Sequence, residues 1–169
     1  MLAKILRLET CAECRFCCTF NREEQVFTPI FSMEKLQELQ SEYSGVVIRP
    51  IGRCATYDLS DFYRTGDSNE YIPCPFLDAE RGCRLSSADK PIGCKIWPLS
   101  CMAEDGEFLI GLAPSCPAVN DEFLAGLHDL LYRDGLGGRI VAEYRQMPDM
   151  ADPFDGDFRI LYRAPMEKK

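Results

Sequence analysis

The stretch Cys11-Ala12-Glu13-Cys14-Arg15-Phe16-Cys17-Cys18 places four thiols within eight residues. Cysteines separated by two residues can bind one metal centre, because the turn between them directs both sulfurs to the same side. Free cysteine is also found buried as a small hydrophobic residue, but core packing does not explain this clustering. The run therefore predicts a metal site, and the rest of the chain is interpreted from it.

The geometry of this run predicts that its four cysteines do not complete a metal site alone. On a helix, Cys11, Cys14 and Cys18 fall within about 60° of one another, and Cys17 lies about 100° from Cys18. In a strand, Cys17 and Cys18 would face opposite sides. Because the run alone is not expected to complete a four-coordinate site, we expect later cysteines to supply ligands. The second part of the cysteine-bearing chain should then fold back onto the first.

Further cysteines follow as single residues between positions 74 and 116. Cys74 begins a Cys-Pro-Phe-Leu segment, Cys94 is followed by Lys95, and Cys116 precedes Pro117. Eight cysteines would fill two four-thiolate sites or one polynuclear site. The candidate metal ligands are Cys11, Cys14, Cys17, Cys18, Cys74, Cys83, Cys94 and Cys116.

Composition is that of a globular protein of ordinary size. The chain has 169 residues, 46% of them hydrophobic and 27% charged, which is enough for one domain with its own core. We predict a single domain over 1–169, with a cysteine-bearing part at 11–117 and a helical cover at 118–169. The net charge of −8 argues against nucleic acid as a partner, because a phosphate backbone needs clustered cations.

The compartment is predicted from what the chain lacks. It has no apolar run of the 18 or more residues that a membrane-spanning helix needs, and its start carries no apolar segment of secretory length. We therefore expect a cytoplasmic protein with no membrane partner. Thiols stay reduced in that compartment, so clustered cysteines favour metal or redox chemistry over disulfides.

Apolar periodicity and capping residues predict three helices and a few short strands. The helices are bounded by Ser32 and Gly45, by Asn120 and Gly135, and by Gly138 and Pro148. Short apolar segments lie at 46–48, 108–112 and 159–162, and Asp105-Gly106 predicts a turn into the second of them. The expected fold is α+β and helix-rich, with a small irregular Cys-ligated metal-binding core packed against about three helices.

These motifs resemble the CxxCxxCC family of small bacterial cysteine-cluster proteins, the YkgJ-like zinc- or iron-chelating domain. The same cysteine pattern occurs in flagellin lysine-N-methylases. The match spans 11–117 and includes the eight candidate ligands in order, which implies zinc or iron bound by them. Cys54 and Cys101 fall outside the shared set, which implies spare thiols or optional ligands. Arg15 stands where the family often has glycine, so a tight glycine turn is not expected there.

The spacing of the cysteines favours an iron–sulfur cluster over zinc. Zinc sites are typically built from two C-x-x-C knuckles, and only the N-terminal run has this form. Three cysteines in series resemble the C-x₂-C-x₂-C portion of ferredoxin-type iron–sulfur sites. We expect an iron–sulfur cluster, with [4Fe–4S] favoured, and zinc is the alternative. A mixed arrangement with one of each also stays open.

Three functions are compatible with such a site. We favour a redox or metal-binding module that passes electrons or metal to a partner or substrate protein. A component of a protein- or peptide-modifying enzyme system, similar to flagellin lysine methylases, is one alternative. A structural zinc domain for protein–protein contacts is the other. The sequence has one histidine, His128, which is expected on a helix surface and supports no Cys-His or Ser-His catalysis.

Basic residues close to the cysteines in sequence are expected to offset thiolate charge. A metal bound by four thiolates keeps net negative charge, two units in the case of Zn²⁺. Cations around the sulfurs would stabilise that charge and tune the metal. The candidates are Arg15, Arg22, Arg81, Arg84, Lys90 and Lys95. Phe76 and Trp97, each beside a proline and near a cysteine, are expected in core packing.

Overall fold

The computed structural model describes Leu2 and residues 13–114, 116–117 and 119–167. The chain divides into two compact units, one formed by 11–91 and the other by 1–10 together with 92–169. The boundary at residues 91 and 92 lies inside the predicted cysteine-bearing part. The prediction of a single domain stays a prediction, since two compact units can belong to one domain.

The unit formed by 11–91 contains one α-helix and seven short strands among its described residues. Three single 3₁₀ turns, at Phe16–Cys18, Glu24–Phe27 and Ser60–Phe62, connect them. In chain order the elements are β1 (Thr19–Phe20), β2 (Phe31–Ser32), α1 (Met33–Glu42), β3 (Ile48–Ile51), β4 (Cys54–Tyr57), β5 (Ile72–Pro73), β6 (Leu77–Asp78) and β7 (Gly82–Cys83).

A three-stranded antiparallel sheet, in the order β2-β4-β3, carries the core of this unit. All four residues of the central strand β4 are buried. The Phe76 ring packs against three aromatic rings, with centroid distances of 5.8 Å to Phe31, 5.3 Å to Tyr43 and 6.0 Å to Tyr57. The prediction that Phe76 belongs to the core is confirmed.

Helix α1 begins where the sequence predicts. The Ser32 side chain accepts a hydrogen bond from the Lys35 amide at 3.2 Å, which satisfies one of the free N–H groups of the first turn. Leu36 and Leu39 are buried on one face of the helix. The apolar stripe therefore fixes which side of α1 faces the sheet.

The second unit contains three α-helices and four strands among its described residues. In chain order they are α2 (Ile92–Ile96), β8 (Leu99–Glu104), β9 (Glu107–Leu112), α3 (Asp121–Tyr132), α4 (Leu136–Gln146), β10 (Asp152–Pro153) and β11 (Arg159–Pro165). The sheet order is β10-β8-β9-β11, in which β10 runs parallel to β8 and the other pairs are antiparallel.

The hairpin between β8 and β9 follows the turn that the sequence predicts. Asp105 and Gly106 both have positive φ, 49° and 79°, which is the backbone of a type I′ turn. Asp tolerates this conformation and Gly adopts it without steric cost, so the pair sets the register of the hairpin. Strand β9 covers the predicted segment 108–112 and buries Phe108, Leu109 and Ile110.

Helix α3 also begins as predicted, since the Asn120 side chain accepts a hydrogen bond from the Phe123 amide at 2.8 Å. The predicted start of the third helix is wrong. Helix α4 begins at Leu136, directly after Gly135 in the left-handed conformation. The reason is packing, because Leu136 and Gly137 are buried and complete the apolar face of the first turn.

The α+β class is confirmed, and the structure describes four α-helices where about three were expected. Residues 118–169 hold two of these helices together with β10 and β11. None of the described helices is long and apolar enough to cross a membrane.

Candidate metal centre

The predicted ligands fall in both units. Cys11 lies outside the described residues. Cys14, Cys17, Cys18, Cys74 and Cys83 belong to the unit formed by 11–91, whereas Cys94 and Cys116 belong to the other. Each unit is therefore described with its own cysteines.

The N-terminal run is not one continuous helix. Arg15 adopts the left-handed conformation, with φ 54° and ψ 4°, and a 3₁₀ turn follows over Phe16–Cys18. The backbone therefore turns at Arg15, the position where the CxxCxxCC family often has glycine, although arginine carries a side chain. In a 3₁₀ turn successive residues are about 120° apart, so Cys17 and Cys18 point in different directions.

Strand pairing brings Cys74 beside Cys18. Strand β1 pairs antiparallel with β5, with Thr19 opposite Pro73 and Phe20 opposite Ile72. The Cys74 amide donates a hydrogen bond of 2.8 Å to the Cys18 carbonyl, which extends the same register by one position. Directly opposed residues present their side chains on the same face, with Cβ atoms about 4.5–5.5 Å apart. The expected fold-back onto the N-terminal run is confirmed for Cys74.

Cys83 follows Cys74 through a hairpin. The Leu77 amide donates to the Cys74 carbonyl at 2.9 Å, which closes a tight turn immediately before β6. Strand β6 then pairs with β7, with Leu77 opposite Cys83. The thiols of Cys18 and Cys83 lie close enough to Cys74 for their charges to raise its pKa. Three candidate ligands are thus gathered in one region of this unit.

Burial and local hydrogen bonds set the state of the Cys74 thiol. Burial raises the pKa of Cys74 to about 12, and this effect exceeds the opposing hydrogen bonds from the Tyr57 side chain and the Phe76 amide. Both hydrogen bonds favour the thiolate and lower the pKa. Without a cation the thiol stays protonated at neutral pH. A metal would replace the proton and gain the two hydrogen bonds to sulfur.

Cys83 has a similar environment but is more exposed. Partial burial of its sulfur raises the pKa of Cys83, whereas a hydrogen bond from the Leu85 amide and the charge of Lys90 lower it. The amide donor lies two positions after the cysteine, as it does in the Cys74–Phe76 pair. Two thiols in the cluster therefore share the same local N–H···S arrangement.

The described residues contain no group of three or more His, Cys, Asp or Glu side chains already placed to hold a metal ion. The expected Cys-ligated core is therefore not shown as a finished site. The donor chemistry does fit a thiophilic metal, since the gathered groups are thiols with amide donors directed at two of their sulfurs. Cys14 is exposed and Cys17 half-buried in the neighbouring run.

The unit that contains Cys94 and Cys116 has thiols of different character. Cys94 is exposed on α2, and Cys116 is half-buried in the connection before α3. Cys94 and Cys101 both lie close enough to Tyr144 for their charges to act on its pKa. The structure thus places Cys94 near a buried tyrosine of its own unit.

The two cysteines predicted as spare are buried in sheets. Cys54 lies on β4 and Cys101 on β8, and both are fully buried. Burial raises the pKa of Cys101 to about 12, and the nearby Asp152 carboxylate adds to the shift. This environment is that of an inert core thiol.

Among the basic residues, Lys90 acts on a candidate ligand, since its charge lowers the pKa of Cys83. Arg84 donates to the Pro75 carbonyl at 2.8 Å and lies over the Tyr43 ring, 4.8 Å from its centroid. Arg22 lies over the Tyr63 ring at 4.9 Å. His128 is exposed on α3 beside Tyr132, as predicted, with ring centroids 4.9 Å apart.

Sequence reasoning missed the groups that donate hydrogen bonds to the sulfurs. The Phe76 and Leu85 amides carry no sequence signal, because every residue except proline has one. Tyr57 precedes Cys74 by 17 residues, and no local motif links them. The sequence feature that could have pointed to Tyr57 is its position in the short, buried strand β4.

Comparison with known proteins gives no match to a family model, to a curated protein or to a solved structure. The resemblance to the CxxCxxCC family stays a prediction.

Proposed function

We propose that the protein binds an iron–sulfur cluster or zinc through cysteine thiolates and acts as a redox or metal-binding module. Cys18, Cys74 and Cys83 form the centre of the proposed site. The observation that carries the proposal is the register that sets Cys18 opposite Cys74 at the end of the β1–β5 pair. Two paired strands of two residues each would gain stability from a metal that links their ends.

The electrostatics of the three thiols support the same conclusion. Their negative charges oppose one another, since Cys18 and Cys83 raise the pKa of Cys74 and Cys18 raises that of Cys83. Three thiols in one region gain little from packing alone, but a cation removes the repulsion among their thiolates. The amide donors at Cys74 and Cys83 then stabilise the remaining charge.

The other candidates stay predicted ligands, and how the eight divide between sites stays open. Cys11, Cys14 and Cys17 are closest in sequence to Cys18, and Cys94 and Cys116 complete the set of eight. We favour [4Fe–4S] because of the C-x₂-C-x₂-C spacing, with zinc as the alternative. When bound, a cluster would supply one-electron transfer, whereas zinc would supply structural cross-linking. The chain itself supplies the thiolates, the N–H···S bonds and the Lys90 charge.

The identity of the metal is tested by anaerobic purification of the full chain, followed by elemental analysis and visible absorption. Brown protein with iron and acid-labile sulfide supports the cluster, and reversible bleaching by a reductant supports electron transfer. Colourless protein with stoichiometric zinc supports the alternative metal. Protein that carries neither metal, even after anaerobic reconstitution, contradicts the proposal. A sample stripped with a chelator and measured in parallel gives the background.

A further inference from the structure

We propose that Tyr57 is a positioning residue of the thiol site and that its hydroxyl donates a hydrogen bond to the Cys74 sulfur when metal is bound. The inference rests on the proposed function, since it assigns a role at the same site. It adds a side chain that lies outside the cysteine motifs and that no sequence pattern connects to them.

The sheet places Tyr57 at the site. Tyr57 is the last residue of the buried central strand β4 and pairs with Ile48 on β3. Its side chain is 1% exposed, and the hydroxyl oxygen itself is buried. Cys74 packs against the core cluster that contains Tyr57. The hydroxyl of a strand residue is therefore held inside the protein, on the side where Cys74 lies.

Aromatic packing fixes the direction of the Tyr57 ring. The ring makes edge contacts with Phe20, at a centroid distance of 6.3 Å, and with Phe76, at 6.0 Å. Phe20 directly follows Thr19 on β1, and Phe76 lies two residues after Cys74. The two rings that hold Tyr57 thus come from the two chain segments that carry Cys18 and Cys74. A buried ring held in this way cannot turn its hydroxyl to water.

The chemistry of the contact favours a thiolate. A buried hydroxyl needs a hydrogen-bond partner, and Cys74, which packs against the same core cluster, lies close enough for the Tyr57 side chain to lower the pKa of its thiol. Hydrogen bonds to a metal-bound sulfur lower the energy of its lone pairs and tune affinity and potential. Tyr57 would therefore act on the metal through Cys74 without touching the metal itself.

A purely structural role for the hydroxyl is the competing explanation, and Tyr63 provides a matched control. Tyr63 belongs to the same core, is buried, and donates its hydroxyl to the Phe20 carbonyl at 2.8 Å. Both Tyr→Phe changes remove one buried hydroxyl and keep the ring. A general effect of a lost hydroxyl on the core would be seen in both variants, whereas an effect through Cys74 would be specific to Tyr57.

The test uses the full chain loaded anaerobically with Co²⁺, which reports thiolate ligands through its charge-transfer absorption. For Tyr57→Phe we expect wild-type Co²⁺ stoichiometry, a thiolate band moved to lower energy and an affinity reduced about tenfold. For Tyr63→Phe the band and affinity should match the wild type. If Tyr57→Phe does not fold, 3-fluorotyrosine incorporation, which strengthens the phenol as a donor, should move the wild-type band to higher energy.

The outcomes separate this inference from the proposed function. A wild-type chain that gives no thiolate-to-Co²⁺ band overturns both. A wild-type band that is unchanged by Tyr57→Phe, or moved equally by Tyr63→Phe, overturns the role of Tyr57 and leaves the metal site standing. A band unmoved by 3-fluorotyrosine likewise removes Tyr57 from the site.

Discussion

At the scale of single residues, the cysteines differ in reactivity because their surroundings differ. Cys14 is exposed, whereas Cys101 is buried on β8 and has its pKa raised to about 12. The thiolate is the nucleophile, so a shift from the ordinary value of 9.0 to about 12 lowers the reactive fraction by about a thousandfold. The same residue type therefore occurs in this chain both as an open thiol and as a core side chain.

Alkylation of the metal-free chain under native conditions should reflect this difference. We expect Cys14 to react with iodoacetamide at least a hundredfold faster than Cys101 and Cys54, because Cys14 is exposed whereas the other two thiols are buried. Peptide mass spectrometry over a time course measures each rate. In denaturant the rates should converge. Rapid native labelling of Cys101 would show that β8 is not buried as described.

Asp152 makes a second residue-scale prediction. Burial raises its pKa above the ordinary value of 3.8, against a hydrogen bond of 2.6 Å from the Ser100 hydroxyl that lowers it. The unfolded chain therefore loses this proton at a lower pH than the folded protein. The contribution of Asp152 to stability is complete below about pH 4 and is lost as pH rises through the folded-state pKa.

Asp152→Asn should for this reason stabilise the protein at neutral pH and have less effect near pH 4. The amide oxygen of Asn can still accept from Ser100, so the hydrogen bond is kept while the buried charge is removed. Urea unfolding of both proteins at about pH 4 and about pH 7 measures the difference. The account would be contradicted if Asp152→Asn raised the free energy of unfolding more at about pH 4 than at about pH 7, each measured against the wild type at the same pH.

At the scale of elements, two adjacent glycines of α4 should respond to alanine in opposite ways. A Cβ at Gly137 would lie 2.8 Å from ring carbons of Tyr162, whereas a Cβ at Gly138 meets no atom within 4 Å. Gly138→Ala should raise the free energy of unfolding by about 0.5–1 kcal/mol through helix propensity. Gly137→Ala should lower it by about 1–3 kcal/mol, because the core is overpacked.

Thermal or urea unfolding of the two variants checks this pair. Each serves as the control for the other, since both have the same change in the same turn. Equal stabilisation by both substitutions would mean that α4 does not pack on β11 through Gly137.

The elements that sequence predicted well have strong local signals. Ser32 and Asn120 cap their helices, and Asp105-Gly106 forms its turn, because each uses hydrogen bonds or φ values available within four residues. The strand β4 was missed for the opposite reason. It is four residues long and buried on both faces, so it has no polar alternation to mark it.

At the scale of the whole molecule, the order of the cysteines predicted a fold-back but not its form. Strands β1 and β5 have two residues each, too few for a period, and their pairing joins residues 54 positions apart in the case of Thr19 and Pro73. The alignment of Cys18 with Cys74 depends on this non-local pairing and on the core behind it. Tyr57 was missed because it reaches the site through that same core.

The central claim is that Cys18 and Cys74 bind a metal and that the buried Cys54 does not. The most direct test is the metal-to-protein ratio of anaerobically purified full-length Cys18→Ala, Cys74→Ala and Cys54→Ala beside the wild type. We predict that the wild type and Cys54→Ala carry the same metal content, and that Cys18→Ala and Cys74→Ala each lose most of it. Cys74→Ala with wild-type metal content, or a wild type that binds no metal, would contradict the claim.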